Sequence, residues 1–425
     1  MKYGLEDKPP PLAFLLYGLQ WWVISVPCVV ILGVVVARLH YPDLGSQVFY
    51  LQKLFGLTGL AVLAQLFLGH RLPLVVGPAV ILLVGITASA SSGIPALYTA
   101  LLVGGLVLAL LAAGGLLRYV QALFVPRIVA VILLLIAVTL APTILKVSLE
   151  SGARPAFHLA FSFGLVLIMV ILNQVLPGIW KSLTVFLGLA GGSLVYFLCS
   201  GFPAPVAYSA PETAGLFLPS FDFQAGAIVA FLFCFLALTI NELGSIESVG
   251  QMLRVEDIQG RVRRGVTVCG LANMMAGAVG VIGTVSFSMS VGLIAATRCA
   301  ARLTMIPAAL GLFVCAFLPE AVLLLSRIPG AVMGALLLYI MAAQLASGLI
   351  LLVSAHGVSD FASGLTVGLP VMAAIVIAFS PAGLFAELPP FIRPIAGNGF
   401  IVGTLLALFL EHVLFRQAAP PKTQP

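Results

Sequence analysis

Pro73-Leu74-Val75-Val76-Gly77-Pro78-Ala79-Val80 and Gly283-Thr284-Val285-Ser286-Phe287-Ser288-Met289-Ser290-Val291-Gly292 are the two stretches that decide the fold. Each belongs to a short apolar run broken by Gly, Pro or Ser. Counted along the chain, they lie at the third apolar run of each seven-run half. Interrupted hydrophobic segments at corresponding positions of two halves point to inverted repeats, with a solute site between them. The same residues have a plainer reading, because Gly and Ser also let membrane helices pack closely.

The composition says what kind of chain carries these stretches. Of 425 residues, 61% are hydrophobic and 8% charged, and the mean hydropathy is +1.20. Soluble domains carry roughly a quarter charged residues. A charge at mid-bilayer costs about 2.5–3.5 kcal/mol on insertion scales, so a membrane core demands this bias. A spanning helix needs about 20 apolar residues, which leaves room for about fourteen spans and no soluble domain. The runs fall near 12–38, 46–68, 72–88, 94–116, 120–142, 155–176, 180–200, 224–249, 265–283, 288–299, 304–325, 330–353, 361–380 and 398–416. Turn-forming clusters punctuate them, among them Tyr41-Pro42-Asp43, Gly201-Phe202-Pro203 and Leu388-Pro389-Pro390. The first run, Leu12 to Ala37, is too long for a signal-peptide core and reads as the first span.

The net charge of +6 points to basic loops at a membrane face rather than to nucleic acid. With an even number of spans both termini share one side. Arg71, Arg118, Lys181, Arg254, Arg261, Arg263, Arg264, Arg298, Arg302, Arg416 and Lys422 fall on that side, against Arg38, Lys146, Arg154, Arg327 and Arg393 on the other. The positive-inside rule makes the richer side the cytoplasm. The six cysteines are scattered without a C-x-x-C, and the histidines do not group, so neither a metal site nor a disulfide framework is indicated. No cofactor is expected.

From span nine onward the sequence resembles the nucleobase–ascorbate transporter family, which includes bacterial uracil and xanthine permeases. The resemblance rests on Arg263-Arg264-Gly265-Val266, Gly270-Leu271-Ala272-Asn273, Gly277, Gly280, Ser286 through Leu293, and Ala296-Thr297-Arg298. It continues in Ile328-Pro329-Gly330-Ala331-Val332-Met333-Gly334, and earlier in Arg71-Leu72-Pro73 with Gly77 and in Gly18-Leu19-Gln20. It implies an all-α polytopic membrane protein of about fourteen transmembrane helices in a seven-plus-seven inverted repeat. The first repeat would cover residues 1–212 and the second 213–425. Spans one to four and eight to eleven would form a core domain, and the remainder a gate domain. A secondary transporter in the bacterial inner (cell) membrane follows, proton-coupled, for a small polar solute such as a nucleobase. Its partners would be solute, proton and lipid bilayer, not nucleic acid, and a homodimer is compatible with it.

The substrate would sit between the broken spans, at facing half-helix N-termini formed by Ala79 and Val80 and by Val291 and Gly292. Unpaired N–H groups and a partial positive charge there suit a carbonyl-rich or anionic ligand. In span ten the family has Gln or Glu followed by Asn; here Met289 and Ser290 stand at those positions. Methionine donates no hydrogen bond and accepts only weakly, so the nucleobase-reading group of that motif is absent.

In span eight, Asn241 occupies the family's Glu position, Gly244 is retained, Ser245 holds the fifth position and Glu242 is displaced by one residue. Asn241 and Ser245 share a helical face, whereas Glu242 lies about 100° from Asn241 and Glu247 about 140° from Glu242. A carboxylate deep in an apolar span can take and release a proton during an access cycle, so Glu242 is the coupling candidate, with Glu247 second. The plainer reading is a hydrogen-bonded structural Glu. Gln20, followed by Trp21 rather than the family's His, would orient the site.

Two other readings stay open. An anion transporter of the sulfate-permease-like fold is one, although that family adds a cytoplasmic regulatory domain. The other is a uniporter or channel. No nucleophile–base pair or metal spacing supports an enzyme.

Overall fold

The structure is a computed structural model and describes residues 1–149, 154–203, 208–209, 215–218, 220–381, 383–385, 387–389 and 391–415. In chain order it contains α1 (Pro11–His40), α2 (Leu44–Phe67), β1 (Val75–Pro78), α3 (Val80–Ala88), α4 (Ile94–Ala113), α5 (Leu117–Leu123), α6 (Pro126–Thr139), α7 (Ala141–Ser148), α8 (Pro155–Val175), α9 (Gly178–Ser182) and α10 (Thr184–Ser200). There follow α11 (Ala225–Leu253), α12 (Ile258–Val279), β2 (Thr284–Phe287), α13 (Ser290–Thr297), α14 (Met305–Cys315), α15 (Pro319–Ser326), α16 (Gly330–Ser354), α17 (Phe361–Ala378), α18 (Arg393–Ala396) and α19 (Gly399–Phe409), which ends in a π turn.

Local chemistry sets the starts. Prolines stand in the first turn of α1, α4, α6, α8 and α15, where a missing N–H costs nothing. Asp43, Asp257, Asp360 and Asn398 cap α2, α12, α17 and α19 by accepting backbone N–H groups of the first turn.

Among the described residues, eight helices are long and apolar enough to cross a membrane, counting α6 and α7 as one, and a ninth if α14 and α15 form one span bent by 87°. Each apolar run contains helix, but several are short, bent or divided. The expectation of an all-α chain needs one correction. The third and tenth runs do not begin as helix; they open as strands β1 and β2, which pair antiparallel. Only behind them do the short helices α3 and α13 start. Paired strands satisfy each other's backbone groups in a region where water cannot.

The helices pack in two groups. In one, α1 lies on α2 and α14, α2 on α12, α14 and α15, and α4 on α11 and α12. The α4–α12 crossing is close because Gly105, Gly270 and Gly277 bring backbone against backbone; a Cβ on Gly277 would meet Leu102 N and Tyr98 O. In the other group, α16 packs on α6, α7, α8 and α10, and α17 on α6 and α19. There Arg127 of α6 pairs with Glu411 at 2.6 Å and donates to the Gly357 carbonyl. Elements distant in sequence interleave in both groups, α2 with α14 and α6 with α16 among them. The expected repeat boundary at 212–213 and the tail cations Arg416 and Lys422 lie outside the described residues.

Candidate functional site: the crossing of two broken spans

β1 and β2 pair with Val75 opposite Phe287, Val76 opposite Ser286, Gly77 opposite Val285 and Pro78 opposite Thr284. The Ala79 N–H donates to Gly283 O at 2.9 Å and extends the ladder. At the far end the Val75 N–H donates to Ser290 Oγ at 2.9 Å. Because the ribbon is antiparallel, α3 and α13 leave it from opposite ends, and both helix N-termini are turned toward it. Two glycines make the crossing fit. A Cβ on Gly283 would land on Asn273 Oδ1, and one on Gly77 would come within 2.8 Å of the Phe287 ring.

One side of the ribbon is sealed by α2, α11 and α12. Glu242 is fully buried there. Its Oε2 accepts the Ser286 N–H at 2.6 Å, and its Oε1 accepts the Ser286 hydroxyl at 2.8 Å and the Gln65 amide at 3.3 Å. Gln65 also donates to Gly265 O at 2.9 Å, and Ser245 Oγ donates to Ser286 O at 2.9 Å. His70 lies beside this group, with Nε2 3.5 Å from Ser286 Oγ and Nδ1 accepting the Leu72 N–H at 3.0 Å. Asn273 donates to Thr284 O at 2.8 Å. The Ser286 N–H, hydroxyl and carbonyl and the Thr284 carbonyl are thus each met by a buried side chain.

The other side is open. Asn241 is exposed, and Met289 at the start of α13 is 41% exposed. Around the Cβ positions of Gly244 and Gly292 nothing lies within 4 Å. The site residues read from the sequence therefore divide. Asn241, Met289 and Gly292 border open space, with Val80 and Val291 half-buried at the two helix starts. The expectation of unpaired N–H groups fails at Ala79, Val291 and Gly292, which donate to Gly283 O, Ser288 O and Met289 O because the ribbon and the tight turn into α13 take them up. Ala79, Ser245, Ser290 and Glu242 are buried and hold the crossing together. Gln20 is half-buried on α1, and among the described residues its amide nitrogen has no hydrogen-bond partner. Glu247 does not reach the crossing; it lines a recess where α11 meets α12.

The sequence reading missed Gln65 and the role of His70. Gln65 is one of three amides in the apolar run 46–68, with Gln47 and Gln52, so nothing in the run singled it out. His70 gave no signal, since its link to Ser286 spans more than two hundred residues.

The sequence matches the Permease family (Xan_ur_permease) over residues 12–383. The chain belongs to that family. It is a divergent member of the nucleobase–ascorbate transporter type, a permease and not an enzyme. It is 25% identical to the uric acid permease PucJ of Bacillus subtilis over 86% of this chain and 85% of that one. It is 27% identical to the nucleobase transporter PlUacP of Paenibacillus larvae, over 87% of each chain. In fold it is similar to the transmembrane domain of a cyanobacterial bicarbonate transporter, BicA, with a TM-score of 0.61 at 16% identity, covering 93% of this chain and 96% of that one. The permease is a multi-pass membrane protein for a small molecule, and its broken spans form the candidate solute site.

Proposed function

We propose that this permease is a secondary active, proton-coupled transporter of a nucleobase-like solute, an oxopurine or pyrimidine of the urate, xanthine or uracil kind. The observation that carries the reading is the crossing itself. Two helix N-termini converge on one ribbon beside an open face bearing Asn241, Gly244, Met289 and Gly292. The partial positive charge of the two helix N-termini suits ring carbonyls, the Asn241 amide can both donate and accept, and the two glycines leave room for a flat ring. No carboxylate stands at Asn241 or Met289, so the solute meets a neutral site. That favours a neutral heterocycle or its monoanion over a cation.

Coupling in this proposal runs behind the site rather than through it. With its carboxylate ionised, Glu242 accepts from both Ser286 donors. A proton on that carboxylate removes acceptor capacity and loosens β2, the strand that leads into α13. Solute and proton would then act on the same element from opposite sides. Alternating access would come from rocking one helix group, the core, against the other, the gate. The chain would cross the membrane about fourteen times in two inverted halves, with both termini and the arginine-rich loops in the cytoplasm, and homodimer formation belongs to the same reading.

The deciding experiment is a thermal-shift screen of the purified permease against uric acid, xanthine, uracil, bicarbonate and sulfate, followed by uptake of whatever stabilises it. Stabilisation and saturable uptake of a nucleobase support the proposal. Stabilisation by the inorganic anions alone would replace it with anion transport.

A further inference from the structure

Helix α11 has 29 residues, longer than the roughly 20 that a bilayer requires. Asn241, Gly244, Ser248 and Gln251 follow one another along it at intervals of three and four, so they form a single stripe. All four are exposed, while Leu243, Ile246, Val249 and Gly250 between them are buried. An amide, a bare backbone position, a hydroxyl and a second amide make a poor surface for lipid tails and a good one for water and a polar solute. The stripe starts at the level of the crossing, because Ser245 Oγ ties that turn of α11 to Ser286. It ends about 15 Å further along the helix, at about 1.5 Å per residue.

At that end lies a recess of about 280 Å³, lined by Glu247, Gly250, Gln251, Arg254, Ile258 and Gln259. Its volume is close to the lower bound for small-molecule sites, about 300 Å³. Gln251 belongs to both stripe and recess. Glu247 lies in the last turns of α11 and Arg254 is its left-handed C-cap residue, and both border the recess. A carboxylate accepts N–H groups, a guanidinium offers a fork of donors to carbonyls, and two amides do both. Donors and acceptors thus line one cavity together. This set matches a planar ring edged with N–H and C=O groups, whereas Glu247 repels an inorganic anion and Arg254 a cation.

We propose that the Glu247–Gln251–Arg254 recess is a second, peripheral stop for the nucleobase-like solute, joined to the crossing by the α11 stripe. The solute class rests on the proposed function above; the path does not. On this reading Glu247 reads solute N–H groups at the mouth of the path, and its task is not proton coupling at the crossing.

The test uses the full-length permease in vesicles of known sidedness. In a Cys199→Ser background, which removes the exposed native thiol, Ser248→Cys is treated with a charged, membrane-impermeant methanethiosulfonate. The expected result is modification from the Arg254 side only, slowed several-fold by saturating uric acid, xanthine or uracil. In parallel, Gln251→Leu and Arg254→Gln should raise KM about 5- to 10-fold for uptake from the Arg254 side. KM from the opposite side and Tm should stay unchanged. A Ser248→Cys thiol unreactive from both sides overturns the path. Reactivity combined with unaltered KM from both sides in the two variants overturns the stop. A wild-type protein that takes up none of the three probes would instead sink the parent reading and, with it, the solute class of both sites.

Discussion

The carboxylate of Glu242 accepts both donors of Ser286, the backbone N–H at 2.6 Å and the hydroxyl at 2.8 Å. This couples the middle of a long span to the strand that orients α13. The side chain is buried and faces the ribbon, so it can govern the site without lining it. Removing its charge should therefore act on coupling and stability before it acts on solute affinity.

Replacing Glu242 with Gln keeps the shape and one acceptor oxygen but sets an NH2 donor against one of the Ser286 donors, and it cannot titrate. Accumulation driven by a pH gradient should collapse, while solute exchange in the absence of a gradient partly survives. Glu242→Leu should do worse, because the Ser286 N–H and the Gln65 amide lose an acceptor, at about 1–3 kcal/mol for each buried group left unpaired. Uptake with and without an imposed gradient, beside thermal unfolding, separates the two. A Gln variant that still concentrates solute with normal pH dependence would remove Glu242 from coupling.

Gly283→Ala should damage the crossing, since its Cβ would collide with the Asn273 side chain that holds Thr284. Overpacking of this kind costs about 1–3 kcal/mol. Tm should fall and uptake should be lost, with Gly292→Ala as the control for stability alone, because open space surrounds that position. Equal stability of the two variants would contradict the crossing as described.

The division between legible and hidden features follows from range. The two interruptions were readable because Pro78, Gly77 and Gly283 break local helix pattern, and pattern is what a sequence displays. That the interruptions are strands paired with each other was not readable. Neither four-residue segment alternates clearly, and the pairing joins residues more than two hundred apart. Helical geometry correctly set Asn241 about a quarter turn from Glu242, yet only packing against α2, α12 and β2 decided which of them was sealed in. The sequence reading took Asn241, Ser245 and Ser290 as solute positions and Glu242 as the coupling group, whereas Glu242, Ser245 and Ser290 are buried and hold the crossing together.

Asp360, just ahead of α17, accepts the Ser363 N–H at 2.8 Å, and Ser363 Oγ accepts the Asp360 N–H at 3.0 Å. The backbone hydrogen bond from Ser363, and then its hydroxyl, hold the Asp360 carboxyl below the ordinary carboxylate value. A depressed folded value gives stability that is present above the unfolded value, near 3.9, and is lost as pH falls through the folded one. Asp360→Asn keeps an acceptor without titrating. The drop in Tm between pH 7 and pH 3 should be smaller in this variant than in the wild type, and an identical drop in both would rule the cap out as its source.

Asn241 and Met289 stand where a hydrogen-bonding side chain would read a ring edge, and both border open space. Asn241→Ala removes one neutral hydrogen-bonding partner, worth about 0.5–1.5 kcal/mol. KM for the transported nucleobase should rise by about 2- to 10-fold while Tm holds, because the side chain supports no packing. Met289→Glu works in the other direction. It adds a strong acceptor at the start of α13, where a helix N-terminus stabilises negative charge, facing solvent rather than the sealed network. Solutes presenting adjacent ring N–H groups, xanthine and uracil among them, should gain affinity relative to one that binds as an anion, which the new carboxylate repels. Competition of unlabelled xanthine, uracil and uric acid against the labelled solute in wild type and Met289→Glu reads this directly. An unchanged order of potency would mean that Met289 does not touch the solute, and the site would have to be sought nearer to Gln20 and Val80.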